Sequence, residues 1–195
     1  MYNRTQVKLE AKQSLNMHFG LALGTIIVGG LILAVSGYVP IATLILTGVI
    51  NVGLATVMLA IVRGAPVQFN DLFKGFSNFG TNCLAGILVG VFTFLWSLLF
   101  VIPGIIKGYS YSMTFYILAD HPEMSPKDAI AASCELMDGH KFDLFVLQLS
   151  FFWWHLLGSV TFGLAYIYVG PYISAATAKF YEAIKTEKYG DNASV

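Results

Sequence analysis

The chain has 195 residues, 56% of them hydrophobic and only 11% charged, with as many acidic as basic side chains. A soluble domain carries about 25% charged residues, so a surface built only for water is excluded. Zero net charge also removes the electrostatic basis for a nucleic-acid partner.

The charge shortage is uneven. No Asp, Glu, Lys or Arg occurs from Gln13 to Val62, from Gly75 to Ile106 or from Leu144 to Ala178. A membrane-crossing helix needs about 20 mostly apolar residues, and the first and third runs hold two each. The expected class is all-α: a single polytopic membrane domain of about six membrane helices with three short cytoplasmic-side amphipathic helices.

In chain order, Val7, Ala11 and Leu15 recur every four residues beside Arg4, Lys8 and Lys12, which predicts an amphipathic helix at the membrane surface. Helix 1 is expected over 19–35. It reads as a retained helix and not a signal peptide, because Glu10 precedes its apolar core and a second apolar run follows at once. His18 at its start is expected to pack ordinarily at the interface. After a turn at Ser36-Gly37-Tyr38, helix 2 is expected over 39–62, with Pro40 near its start. Phe69, Leu72, Phe73 and Phe76 then follow helical spacing opposite Asp71, Lys74 and Asn78, a second interfacial helix.

Helix 3 is expected to start near Cys83, and helix 4 to run from about 105 to 119, with a turn at Pro103-Gly104 between them. Ser125-Pro126-Lys127-Asp128 reads as an N-cap, a proline at the first helical position and an acidic third residue. Ile130, Cys134 and Met137 give that third surface helix its narrow apolar face, and Gly139 suits its end. Helix 5 (about 142–158) and helix 6 (about 162–185) complete the chain. The order of surface helix then hairpin repeats in units 1–62, 66–119 and 122–186, which suggests an internal repeat. Gly24, Gly29 and Gly30, with Gly86 and Gly90, are spaced for close helix contacts.

Positive-inside reasoning puts both termini and every Lys and Arg except Lys107 in the cytoplasm. Reading 83–119 as one helix would leave five crossings and bury Lys107 deep, at a cost of about 2.5–3.5 kcal/mol. Two helices meeting at Pro103-Gly104 avoid this and put Lys107 at the outer face. Trp96, Tyr109, Tyr111 and Tyr166 suit interfacial belts, and Trp153 and Trp154 suit either a belt or bundle packing.

The stretches WSLLFVIPGIIKGYSYSMTFYILAD, SPKDAIAASCELMDGHKFDLFVLQLSFFWW and VGPYISAATAKFYEAI together resemble the family known as domain of unknown function 975. The resemblance reads as covering nearly the whole chain. It implies a polytopic plasma-membrane protein, of a family found mainly in Gram-positive bacteria, and supplies no biochemical activity. A fainter likeness of layout links it to the membrane domain accompanying some glycerophosphodiester phosphodiesterases.

Each candidate site residue has two readings. Lys107, after the Pro103-Gly104 break, either contacts an anionic headgroup or snorkels to the interface. Asp120 either caps a turn or relays protons. His140 and Lys141 after Gly139 either bind lipid phosphates or simply obey the topology. His155 inside helix 5 is either a functional group or a neutral imidazole bonded to a neighbouring helix. Cys83 and Cys134 are too few and too separated for a disulfide framework or zinc site and are expected to be inert. No nucleophile–base pair, Walker loop or metal motif is visible, so no enzyme, cofactor or metal is expected. The expected role is a non-enzymatic component of the bacterial plasma membrane, with the bilayer and a membrane-protein partner or second copy as its contacts. The alternative is a small transporter or lipid-handling protein with its site near the helix 3–4 break. A polar cavity there holding Lys107 or His155 would favour the alternative.

Overall fold

The computed structural model describes residues 4–38, 40–154, 156 and 166–190. Among them every regular element is helical: α1 (Arg4–Ser36), α2 (Pro40–Arg63), a 3₁₀ helix (Phe69–Phe76), α3 (Phe79–Leu99), α4 (Val101–Tyr111), α5 (Thr114–Asp120), α6 (Pro126–Leu136), α7 (Lys141–Leu149) and α8 (Tyr166–Tyr189). Three stretches are long and apolar enough to cross a membrane: Thr5–Ser36, Ile45–Arg63 and Phe79–Leu99. The other expected crossings are divided among shorter pieces or fall partly on 157–165, outside the described residues.

α1 joins the two segments read separately from the sequence. His18, with φ −126° and ψ 24°, leaves helical geometry at their junction. The apolar face of the first segment does not lie open to a membrane surface, as the sequence pattern predicted. Val7, Ala11 and Leu15 are buried, and α1 packs against α8, where Lys179 Nζ approaches Glu10 Oε2 at 3.7 Å. Ala175, Ala176 and Ala178 of α8 are fully buried, and such small side chains allow two helices to approach closely.

α2 is the central helix, touching α1, the 3₁₀ helix, α3, α5 and α8. Its contacts with the 3₁₀ helix and α3 run through glycines. A Cβ on Gly53 would collide with the Leu72 carbonyl, one on Gly75 with the Val49 carbonyl, and one on Gly86 would stand 2.6 Å from the Gly48 nitrogen. Asn82 Nδ2 then donates to the buried Gly75 carbonyl at 2.6 Å, so the close approach does not leave this acceptor empty. Of the glycines singled out by spacing, Gly86 and Gly29 make tight contacts, and Gly24 an ordinary one with Phe69, while Gly30 and Gly90 face open space.

The chain reverses between α3 and α4 at Phe100, whose φ −157° and ψ 140° are extended. The turn expected at Pro103-Gly104 therefore lies three residues earlier. Pro103 sits in the first turn of α4, where a missing N–H costs nothing. Gly104 is buried against Ser97, where a side chain would not fit. The returning leg is two helices, because α6 interrupts it. Ser133 Oγ donates to the Ser110 carbonyl at 2.7 Å and accepts from the Met113 N–H at 3.2 Å. One hydroxyl thus satisfies both backbone groups freed by the break. Asn78 Nδ2 donates to the Pro122 carbonyl at 2.6 Å and closes the foot of the hairpin. Its tip is apolar and uncovered: Leu98, Leu99, Phe100, Val101 and Ile102 are 63–73% exposed.

Candidate functional site

At the foot of the bundle the ends of three helices meet on one carboxylate. Asp120 closes α5 with its side chain only 7% exposed. Arg63, the last residue of α2, donates Nη1 to Oδ1 and Nη2 to Oδ2, both at 2.8 Å. From α8, Lys185 Nζ donates to Oδ2 at 2.9 Å and the Tyr181 hydroxyl at 3.0 Å. Arg63 also reaches Glu182, through Nε at 3.0 Å and Nη2 at 2.6 Å. Two cations and two anions balance. Burial alone would raise the Asp120 carboxyl, but the Arg63 and Lys185 hydrogen bonds outweigh it and hold it below the ordinary carboxylate range. Asp120 is thus the hub of an ion network, a role that its sequence context did not suggest. A small, almost wholly apolar cavity of about 140 Å³, lined by Ile117, Met124, Leu136 and Tyr181 among others, lies beside it.

Arg63, Tyr181, Glu182 and Lys185 were not singled out by sequence. A usable signal existed, because Arg63 ends the first charge-free run and Glu182 and Lys185 follow the third closely. Opposite charges at the same ends of neighbouring apolar helices are natural partners.

The remaining candidates gather elsewhere. Lys107 lies half-buried on α4 with Nζ 5.2 Å from the Trp96 ring centre. Burial pushes the Cys134 thiol of α6 upward, and Lys107 and Lys141 both act on it in the opposite sense. The two lysines therefore both lie near enough to the α6 thiol to act on its charge. Lys107 is the seventh residue of α4, about 9 Å along from its start. Gly139 takes φ +83° in the turn between α6 and α7, as its glycine identity suggested. His140 stands at the N-cap of α7, with Nδ1 buried and 3.5 Å from Asp143 Oδ2, too long for a good hydrogen bond. Lys141 Nζ is 3.5 Å from Asp138. His155 lies outside the described residues.

An open groove of about 360 Å³ runs between α3, α4 and α7, lined by Thr93, Ser97, Gly104, Ile105, Gly108, Tyr109, Ser112 and Gln148. Its lining includes Gly104 but not Lys107. The Tyr109 hydroxyl donates to Gln148 Oε1 at 2.8 Å across it. Trp153 is 74% exposed, which suits an outward aromatic and not bundle packing.

These features define an all-helical protein with three helices able to cross a membrane and an ion network at one end. The model of the family described as "Protein of unknown function (DUF975)" matches residues 98–188, so the chain resembles that family from the α3–α4 turn to the end of α8. The match holds the quoted motifs almost entire but leaves out residues 1–97, so it is shorter than the nearly whole-chain resemblance expected from the sequence. Uncharacterized proteins of Mycobacterium bovis and Mycobacterium tuberculosis are each 33% identical over 99 residues, covering 51% of this chain and 29% of theirs. The chain therefore spans less than a third of the length of these curated relatives. No solved structure matches it.

Proposed function

We propose that the protein is a non-enzymatic, multi-pass component of the bacterial plasma membrane with cytoplasmic termini, acting through contacts with lipid and with a membrane partner or second copy. One observation carries this reading. The interior is closed by apolar packing and a charge-balanced ion network, while large apolar side chains from α1, α3, α4 and α7 are left outside. A soluble protein exposes such side chains singly and not in runs. Two measurements test it. Alkaline carbonate should leave the protein in the membrane pellet, and release into the supernatant would refute the embedded reading. Size-exclusion chromatography with light scattering in mild detergent should show a stable partner or dimer, and a lone monomer under every mild condition would refute the contact role.

The observation nearest to the lipid-handling alternative is the groove at Gly104, although Lys107, whose presence there would favour that reading, is not in its lining.

A further inference from the structure

One polar atom beside the break between α4 and α5 is out of place. Thr114 is fully buried, and its hydroxyl has no hydrogen-bond partner among the described residues. Elsewhere in these helices Thr47, Thr56, Thr177, Ser97 and Ser110 each donate to the carbonyl four residues back. For Thr114 that carbonyl belongs to Ser110, and it receives the Ser133 hydroxyl of α6 instead. A buried hydroxyl left empty costs free energy.

The backbone shows the same intrusion. In an unbroken helix the Met113 N–H would donate to the Tyr109 carbonyl. That carbonyl is taken by Ser112, through its N–H at 3.3 Å and its hydroxyl at 2.7 Å. The Met113 N–H turns to Ser133 Oγ at 3.2 Å. Yet the chain has barely left helical geometry. Ser112 (φ −61°, ψ −27°) and Met113 (φ −91°, ψ −3°) both lie in the right-handed helical region. Only Met113 is well off the ideal, by about 30° in φ and about 40° in ψ. One hydroxyl thus wedges apart two pieces whose backbone is almost continuous.

Alone, α4 has 11 residues and α5 has 7, and neither reaches the roughly 20 that a crossing takes. Joined, they run from Val101 to Asp120, about 20 residues and about 30 Å, with Lys107 the only charge before the last residue. The wedge comes on a helix held from outside. Near the C-terminal end of α6, Lys188 Nζ reaches Glu135 Oε1 at 2.9 Å and the Glu135 carbonyl at 2.8 Å.

We propose that α6 is a latch: its Ser133 hydroxyl keeps the returning leg in two pieces, and withdrawal of α6 joins α4 and α5 into one helix of membrane-crossing length. What the joined helix does rests on the membrane reading above. Carbonate extraction of every variant tests that premise, while the latch itself is read in detergent, so the two fail separately.

Met113 is one of six methionines, so nitrogen-15 methionine labelling resolves its amide and hydrogen exchange reports its partner. In Ser133→Ala the Met113 amide should stay protected to within about twofold, because the Tyr109 carbonyl replaces the lost acceptor. Exchange about tenfold faster or more would show an N–H left open and would overturn the proposal. Thr114→Val gives a second readout that a merely structural serine would not move. In the unaltered chain it removes an empty hydroxyl and should raise Tm by about 2–4 °C. In Ser133→Ala the hydroxyl has regained the Ser110 carbonyl, and the same change should lower Tm by about 1–3 °C. A shift of one sign in both backgrounds would overturn the proposal. Should Ser133→Ala fail to fold, Lys188→Gln loosens α6 from its outer side. The α6 amides should then exchange faster with Met113 unchanged, and Met113 exchanging in step with α6 would overturn the latch.

Discussion

Replacing Asp120 by Asn keeps the shape of the hub and removes its charge. The side chain is 7% exposed and accepts four hydrogen bonds, two from Arg63 and one each from Lys185 and Tyr181. Breaking a buried ion pair from one side costs about 3–5 kcal/mol, because the partner cation is stranded. Two facts set the lower end here: Arg63 is 38% exposed, and it keeps Glu182. Lys185, 14% exposed, keeps no other carboxylate within ion-pair distance among the described residues. The expected loss is therefore about 3 kcal/mol. For a chain of 150–250 residues each kcal/mol moves Tm by about 2–4 °C, so Asp120→Asn should lower the apparent Tm in detergent by about 6–12 °C. Lys188→Gln is the control. It breaks a pair with Glu135, which is 69% exposed, and should cost less than about 1 kcal/mol. If the two variants unfold within a degree or two of each other, the hub is a surface decoration and the reasoning fails.

Acid should act through the same carboxyl. Its folded-state pKa lies below the unfolded one, so its contribution is complete above about pH 4 and disappears as pH falls through the folded value; a Tm series from pH 7 to pH 3 should flatten at its acid end in Asp120→Asn. Gly53→Ala drives a methyl into the Leu72 carbonyl and should destabilise by about 2 kcal/mol or more. Gly30→Ala meets open space within a helix and should stabilise by about 0.5–1 kcal/mol; a reversed order in thermal unfolding would contradict the packing described. Cysteines at 107 and 141, in a background lacking Cys83 and Cys134, should react with an impermeant thiol reagent from the same side of sealed vesicles. Labelling from opposite sides would support the outer position expected for Lys107.

Helix content was written plainly in the charge-free runs, and so were several ends. Ser125 does accept the Asp128 N–H, at 3.2 Å, and Gly139 does hold a positive φ. The 96–120 stretch was only half readable. A reversal was signalled by Pro103-Gly104, but its place was decided by Gly104 fitting against Ser97, and the second break by Ser133 reaching in from α6. Both are contacts between segments far apart in sequence, which a local pattern does not contain. The ion network was hidden for the same reason. Arg63, Asp120 and Glu182 each look like an ordinary charge at a helix end, and only the convergence of α2, α5 and α8 makes them one unit.

The two amphipathic segments before α3 show how side-chain size settles what periodicity leaves open. Both carry an apolar residue every three or four positions beside charges. In the first the apolar residues are Val7, Ala11 and Leu15, narrow enough to enter the seam beside the alanines of α8, and they are buried. In the second the chain winds as a 3₁₀ helix, and its three-residue period points Leu72 and Gly75 inward against Val49 and Gly53 of α2. Phe69, Phe73 and Phe76 are then turned out, 38–42% exposed, and follow one another at ring-centre distances of 6.2 Å, with Phe79 next at 6.3 Å. No glycine seam could hold four such rings. Their row shares its helix with the Asp71–Lys74 pair, and aromatic rings beside paired charges are best solvated where hydrocarbon meets water. Replacing Phe73 and Phe76 by Ser should therefore leave unfolding in detergent nearly unchanged while loosening the hold of this segment on a bilayer, read as faster quenching of a fluorophore at position 74 by an aqueous quencher. Equal quenching before and after would show that the rings hold nothing.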